Sequence, residues 1–189
     1  MNIAIIGKGT VGGAAKAVSD NQLDFPWIKW GMKELGVKRT GIGAGNPRIL
    51  EYWQMFRMSG IKNEKVSWCS AFVGAALEAA GINTNSKDQS IYQKRTKDSS
   101  QYWLHWDGGE KVDPCYGCIA VMTRSGGGHV GFIFGEDGDN WVLLGGNQGS
   151  AVSIAKFPKS RFIGYVMPKG YKPLKPIPNL KANTEVNLQ

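Results

Sequence analysis

A chain of 189 residues, 42% hydrophobic and 20% charged, carries enough apolar material for one soluble domain with short extensions. No apolar run approaches the roughly 20 residues of a membrane-spanning helix, so stable membrane insertion is not expected. The net charge of +8 favours anionic partners, but zinc-finger spacing and aromatic RNA-binding signatures are missing, which sets acidic polymers such as cell wall ahead of nucleic acid.

Residues 1–24 read as an N-terminal extension. They make a poor signal peptide, because Lys8 follows the short apolar run instead of preceding it. Gly7, Gly9 and Gly12 spell the dinucleotide pattern G-x-G-x-x-G. That pattern needs a helix and then a second strand ending in a ribose-binding acid. Asp20 and Asp24 are suitably spaced, yet no β-run precedes them and no βαβ series follows. The segment is therefore expected to bind no nucleotide cofactor.

Residues 25–37 suggest a helix starting at Pro26, with Trp27, Trp30, Met32 and Leu35 on its apolar side. Asn46 and Pro47 suggest an N-cap and first residue of a second helix, which turns Ile49, Leu50, Trp53 and Phe56 inward. A third helix is expected from Ser67, as N-cap, to just before Gly81. The polar stretch 83–101 reads as a loop with at most one helical turn, and the aromatic run around His105 as a short helix. From Cys118 the pattern turns to β, with runs 118–124, 129–134, 141–146, 151–157 and 162–168 separated by Gly, Asp and Asn turns. Helices followed by strands predict an α+β domain over 25–168, its N-terminal helices packed on a C-terminal antiparallel sheet. Residues 169–189, with Pro173, Pro176 and Pro178 among lysines, read as a flexible basic tail without a core.

Three cysteines, Cys69, Cys115 and Cys118, do not make a disulfide framework. Cys115 and Cys118 form a lone CxxC that runs straight into a strand, which suits neither a redox site nor a four-ligand zinc site, and no metal is expected. Cys69 is different. In the first turn of the third helix it would sit above an apolar stripe of Phe72, Val73, Ala76, Leu77 and Ala80. The unpaired N–H groups of a helix start stabilise a thiolate and can donate to an oxyanion.

His129 opens a strand after Gly126, Gly127 and Gly128, which leave its ring without bulky neighbours. His105 has no such setting and reads as structural. Folding 129–134 and 141–146 into a hairpin with a five-residue loop, 136–140, sets Phe134 opposite Val142 and His129 opposite Asn147. Asn147 would then accept the imidazole N–H, giving a Cys–His–Asn arrangement for nucleophilic catalysis.

Tryptophan–cysteine–serine at a helix head, then GHVGF, then a strand ending in GGNQ, resembles the papain-like cell-wall hydrolases: the NlpC-type peptidases and the cysteine, histidine-dependent amidohydrolase/peptidases (CHAP). The segments PWIKWGMKELGV, NPRILEYW, WCSAFV, LLGGNQG and IGYVMP resemble a small phage and bacterial branch of that superfamily. The resemblance covers 25–168; it departs where Asp113-Pro114-Cys115-Tyr116-Gly117-Cys118 replaces a Pro-Gly-Asp start to the first strand.

The resemblance implies a papain-like fold with Cys69 as nucleophile, His129 as base and Asn147 as the third polar residue. Trp68 and Gln148 would line the substrate cleft. The expected activity is cofactor-free hydrolysis of an amide in peptidoglycan by a monomeric endolysin or wall-lytic enzyme. It would act in the periplasm or the extracellular wall, released by phage lysis or exported by another secretion system. A secreted acyltransferase or deamidase on the same scaffold, and a non-catalytic wall-binding or structural phage protein, are the alternatives.

Overall fold

The computed structural model describes residues 25–42, 45–94 and 96–180. The extension 1–24, with its glycine fingerprint, lies outside them.

Among the described residues four helices precede six strands. They are α1 (Pro26–Lys33), α2 (Pro47–Met55), α3 (Cys69–Ala79) and α4 (Ser90–Lys94), followed by a 3-10 segment (Ser100–Leu104). The strands are β1 (Gly109–Lys111), β2 (Ile119–Arg124), β3 (Gly127–Asp137), β4 (Asn140–Gln148), β5 (Ala151–Pro158) and β6 (Phe162–Pro168). They form one antiparallel sheet in the order β1-β6-β2-β3-β4-β5. The chain is thus α+β with a six-stranded antiparallel sheet, as composition and pattern predict; the three-residue strand β1 is too short for a periodicity to reveal.

Helix starts follow local chemistry. Pro26 and Pro47 occupy first-turn positions, where a missing N–H costs nothing. Asn46 caps α2 by accepting from Arg48 N at 2.9 Å. Helix α1 is shorter than its apolar pattern, because residues past Lys33 leave for the sheet: Gly36 N bonds Val152 O, and Lys38 bridges Ala151. Buried Glu34 accepts from Arg48 and Tyr52, locking the end of α1 onto α2.

Helix α3 is buried on all sides from Cys69 to Leu77, not along one stripe. It lies between α1, α2 and strands β3 and β4. Gly74 is the reason α2 comes so close: a Cβ there would fall 2.0 Å from the Phe56 ring. The helix stops at Ala80, and Gly81 takes the left-handed φ of 77° that ends it.

The sheet curls strongly. Trp141 Nε1 on β4 donates to Tyr165 OH on β6, three strands away, at 2.9 Å. One face receives the helices, with Phe132 against Trp27 and Phe72. The other encloses a second apolar layer, including Leu143, Phe157 and Met122.

The tail departs from the sequence expectation. Residues 169–180 run back along the domain: Tyr171 packs edge-on to Trp27, Leu174 bridges Tyr116, and Asn179 bridges Glu136. Leu180 covers Gly135, where a Cβ would meet its side chain at 2.4 Å. Four apolar residues spaced by three, Tyr171, Leu174, Ile177 and Leu180, carry this packing among prolines and lysines that mask them. Truncation after Lys172 should therefore lower stability by about 2–4 kcal/mol, from three half-buried aliphatic side chains. Urea unfolding of the two proteins measures it; an unchanged midpoint would show that the segment adds nothing.

Candidate active site

Cys69 is the first residue of α3, with Trp68 as the N-cap in place of Ser67. The cysteine is 3% exposed. Its Sγ lies 3.9 Å from Ser67 Oγ, and the backbone N–H groups of Val130 and Ser70 also point to it. Burial pushes the thiol above its ordinary pKa, and the Ser67 hydroxyl, those N–H groups and the Arg124 charge only partly oppose this. The resting group is a neutral thiol. The thiolate expected from the helix start alone is outweighed by desolvation.

His129 is 4% exposed, in β3 beside Met122 of β2, with its ring 5.4 Å from that of Phe157. Strand alternation sets it on the face opposite Val130 and Phe132. Its Nε2 lies 3.1 Å from Gln148 Oε1. Gln148 Nε2 donates to Ser153 O at 2.7 Å and to Ser153 Oγ at 3.1 Å. A carbonyl acceptor can be met only by the NH2 end of the amide, so Oε1 faces the imidazole. Nε2 of His129 therefore carries the proton, and Nδ1 is the basic nitrogen. Gly145 makes room for this pair: a Cβ there would fall 2.7 Å from Gln148 Oε1.

The expected contact between His129 and Asn147 is not formed. From Ile133↔Leu143 to Phe132↔Leu144 the register is the expected one. The hairpin loop is tighter than expected, with Asp137 paired to Asn140, and a bulge at Phe134 absorbs the difference. A second irregularity, between Gly145 and Gln148 where β4 meets β5, decides the site. Asn147 takes a left-handed φ of 60°, turns outward and donates from Nδ2 to Ser67 Oγ at 3.2 Å. The extra residue brings Gln148 to the histidine instead.

Two further expectations are corrected. Trp68 and Gln148 do not line a cleft. Trp68 is fully buried against Tyr52 and Gly146, and Gln148 is 1% exposed beneath His129. The residues that do border the cavity beside the thiol are Ser67 and Asn147, together with Arg39, Lys65, Arg124 and Ser150. Cys115 and Cys118 are buried as free thiols that hydrogen-bond each other, in the turn that leads into β2, and His105 is exposed.

Burial pushes the His129 pKa down to about 4; the Gln148 bond opposes this, and the Arg124 and Arg161 charges add to it. An unfolded histidine binds a proton near pH 6.5, the folded one only near 4. Stability is thus complete above about pH 6.5 and falls by about 3 kcal/mol as pH drops through 4. Denaturant titrations between pH 7.5 and about 5 should record more than half of that loss, before most carboxylates begin to bind protons. His129→Gln should flatten the curve in this window; an unchanged slope would assign the titration elsewhere.

Among the described residues no helix is long and apolar enough to cross a membrane, and no group of three potential ligands is arranged to hold a metal ion. Comparison with protein-family models, curated proteins and solved structures gave no match.

Proposed function

We propose that the protein is a papain-like cysteine hydrolase that cleaves an amide bond of peptidoglycan, with Cys69 as nucleophile and His129 as base. The observation that carries this reading is the His129–Gln148 pair, which fixes one imidazole tautomer and leaves Nδ1 as the acceptor. The nucleophile heads a buried helix, and its thiol takes the N–H of Val130, the residue after the base.

The β3–β4 ladder ends at Phe132↔Leu144, so residues 127–131 have no β4 partner. The side-chain hydrogen bonds of the thiol and the imidazole go to Ser67 and to Gln148, not to each other; in this reading the two groups come from the two sides of the sheet and approach at that end of the ladder when substrate binds. As Cys69 Sγ attacks the carbonyl carbon, its proton passes to His129 Nδ1. The free N–H at the head of α3 stabilises the oxyanion. His129 then protonates the leaving amine. It next takes a proton from water, which cleaves the thioester and restores the thiol. At neutral pH the imidazole is unprotonated, as a base must be when substrate arrives.

The test is digestion of purified sacculi followed by mass spectrometry of the released fragments. One new amine and one new carboxylate at a defined linkage are expected. Intact fragments after prolonged digestion overturn the reading. 1,3-Dibromoacetone probes the pairing itself: it should bridge the Cys69 and His129 peptides, and a singly attached reagent would place the imidazole out of reach.

A further inference from the structure

We infer that the cavity beside Cys69 is a carboxylate-binding subsite, held by Arg39, Lys65 and Arg124, that takes a free carboxylate of the substrate next to the scissile amide. This rests on the hydrolase reading for the identity of the substrate but not for the existence of the site.

The cavity has a volume of about 250 Å³, smaller than a typical drug-sized pocket. That suits a carboxylate and the few carbons that bear it. Three of its bordering residues are cationic and none is acidic. Among the described residues, the charged ends of Arg39, Lys65 and Arg124 form no ion pair. Arg39 Nε is buried and lacks any hydrogen-bond partner, although a buried donor left unmet is costly. Three cations around one small space repel one another, and an anion among them removes the repulsion while meeting the orphaned donor.

The arginine is held in place at its backbone. Arg39 N donates to Ser150 O at 2.9 Å on one side of the cavity. On the other side, Glu64 accepts from Thr40 N, Gly41 N and Asn46 N, which pins the loop that carries Arg39. The link to the chemistry is Ser67: its hydroxyl borders the cavity, accepts from Asn147 and lies 3.9 Å from the Cys69 sulfur. A carboxylate bound here is connected to the attacking sulfur through Ser67, which touches both. It would select peptides with an acidic residue beside the cleaved bond over their amidated counterparts.

The experiment compares two thiol reagents of nearly equal size, anionic iodoacetate and neutral iodoacetamide, at Cys69. Their rate ratio cancels any change in thiol pKa. Arg124→Gln, and the double variant Arg39→Gln with Lys65→Gln, should each lower the iodoacetate-to-iodoacetamide ratio by about fivefold or more at low salt. The wild-type ratio should itself fall as salt is added. A second measurement needs no reactive thiol: Cys69→Ala is titrated with acetyl-alanyl-glutamate and with its diamide, and followed by amide NMR. The diacid should shift the signals of Ser67, Asn147 and Ser150, and the diamide should not. Ratios equal across the variants, or a diacid that shifts none of these signals, overturn the subsite and leave hydrolysis standing. A Cys69 inert to both reagents overturns the hydrolase reading instead, and the titration then decides the subsite alone.

Discussion

Cys69→Ala should abolish hydrolysis of purified wall while leaving the fold intact. The side chain lost is small, and alanine is well accepted in the first turn of a helix. Removing one sulfur from a buried site should cost about 1 kcal/mol, within the ordinary range for point substitutions. Circular dichroism and the urea midpoint check the fold, and sacculus turbidity checks the activity. Because burial raises the Cys69 pKa, alkylation of the wild type by iodoacetamide should climb steadily from pH 7 to 9. A plateau already reached at pH 5 would reveal a stabilised thiolate, contrary to the neutral thiol described above. Cys115→Ser and Cys118→Ser should retain activity, since those free thiols are buried and hydrogen-bond each other. Lysis by Cys69→Ala would end the mechanism.

The next largest effect belongs to Gln148. Its Oε1 is the acceptor for His129 Nε2, and removing it leaves a buried N–H unmet, at a cost of about 1–3 kcal/mol. Gln148→Ala should lower kcat by about tenfold to a hundredfold, through loss of the oriented tautomer. Gln148→Glu keeps an acceptor and adds a negative charge, so it should restore part of the rate. It should also raise the His129 pKa from about 4, which NMR titration of the imidazole would follow. Asn147→Ala should act differently, raising KM more than it lowers kcat, because Asn147 borders the cavity and bonds Ser67. If Asn147→Ala proves the more damaging to kcat, the orienting role returns to that residue.

Sequence by itself determined the elements that local chemistry controls. Asn46-Pro47 starts α2 and Gly81 ends α3 because capping and left-handed backbone are properties of a few adjacent residues. The long strands were legible for the same reason, since alternation and turn residues repeat over a short span. Cys69 and His129 were singled out because each begins an element after a recognisable signal, a helix start in one case and three glycines in the other. What the tertiary structure decided were quantities that depend on distant parts of the chain. Bulges are set by how β4 must fit both β3 and β5, so pairing β3 with β4 alone puts Asn147 opposite His129, where the folded chain has Gln148. The run Gly145-Gly146-Asn147-Gln148-Gly149-Ser150 carried a warning, because glycine and asparagine crowded at a strand end often mark a bulge. The cationic cavity left no local trace at all. Arg39, Lys65 and Arg124 come from three separate segments, and only the packing of α3 against β3 and β4, with the 38–41 loop laid on Ser150, brings their charges to one side of the cysteine. The protonation of the site was likewise invisible, because the desolvation that keeps thiol and imidazole neutral belongs to the assembled core and to no stretch of sequence.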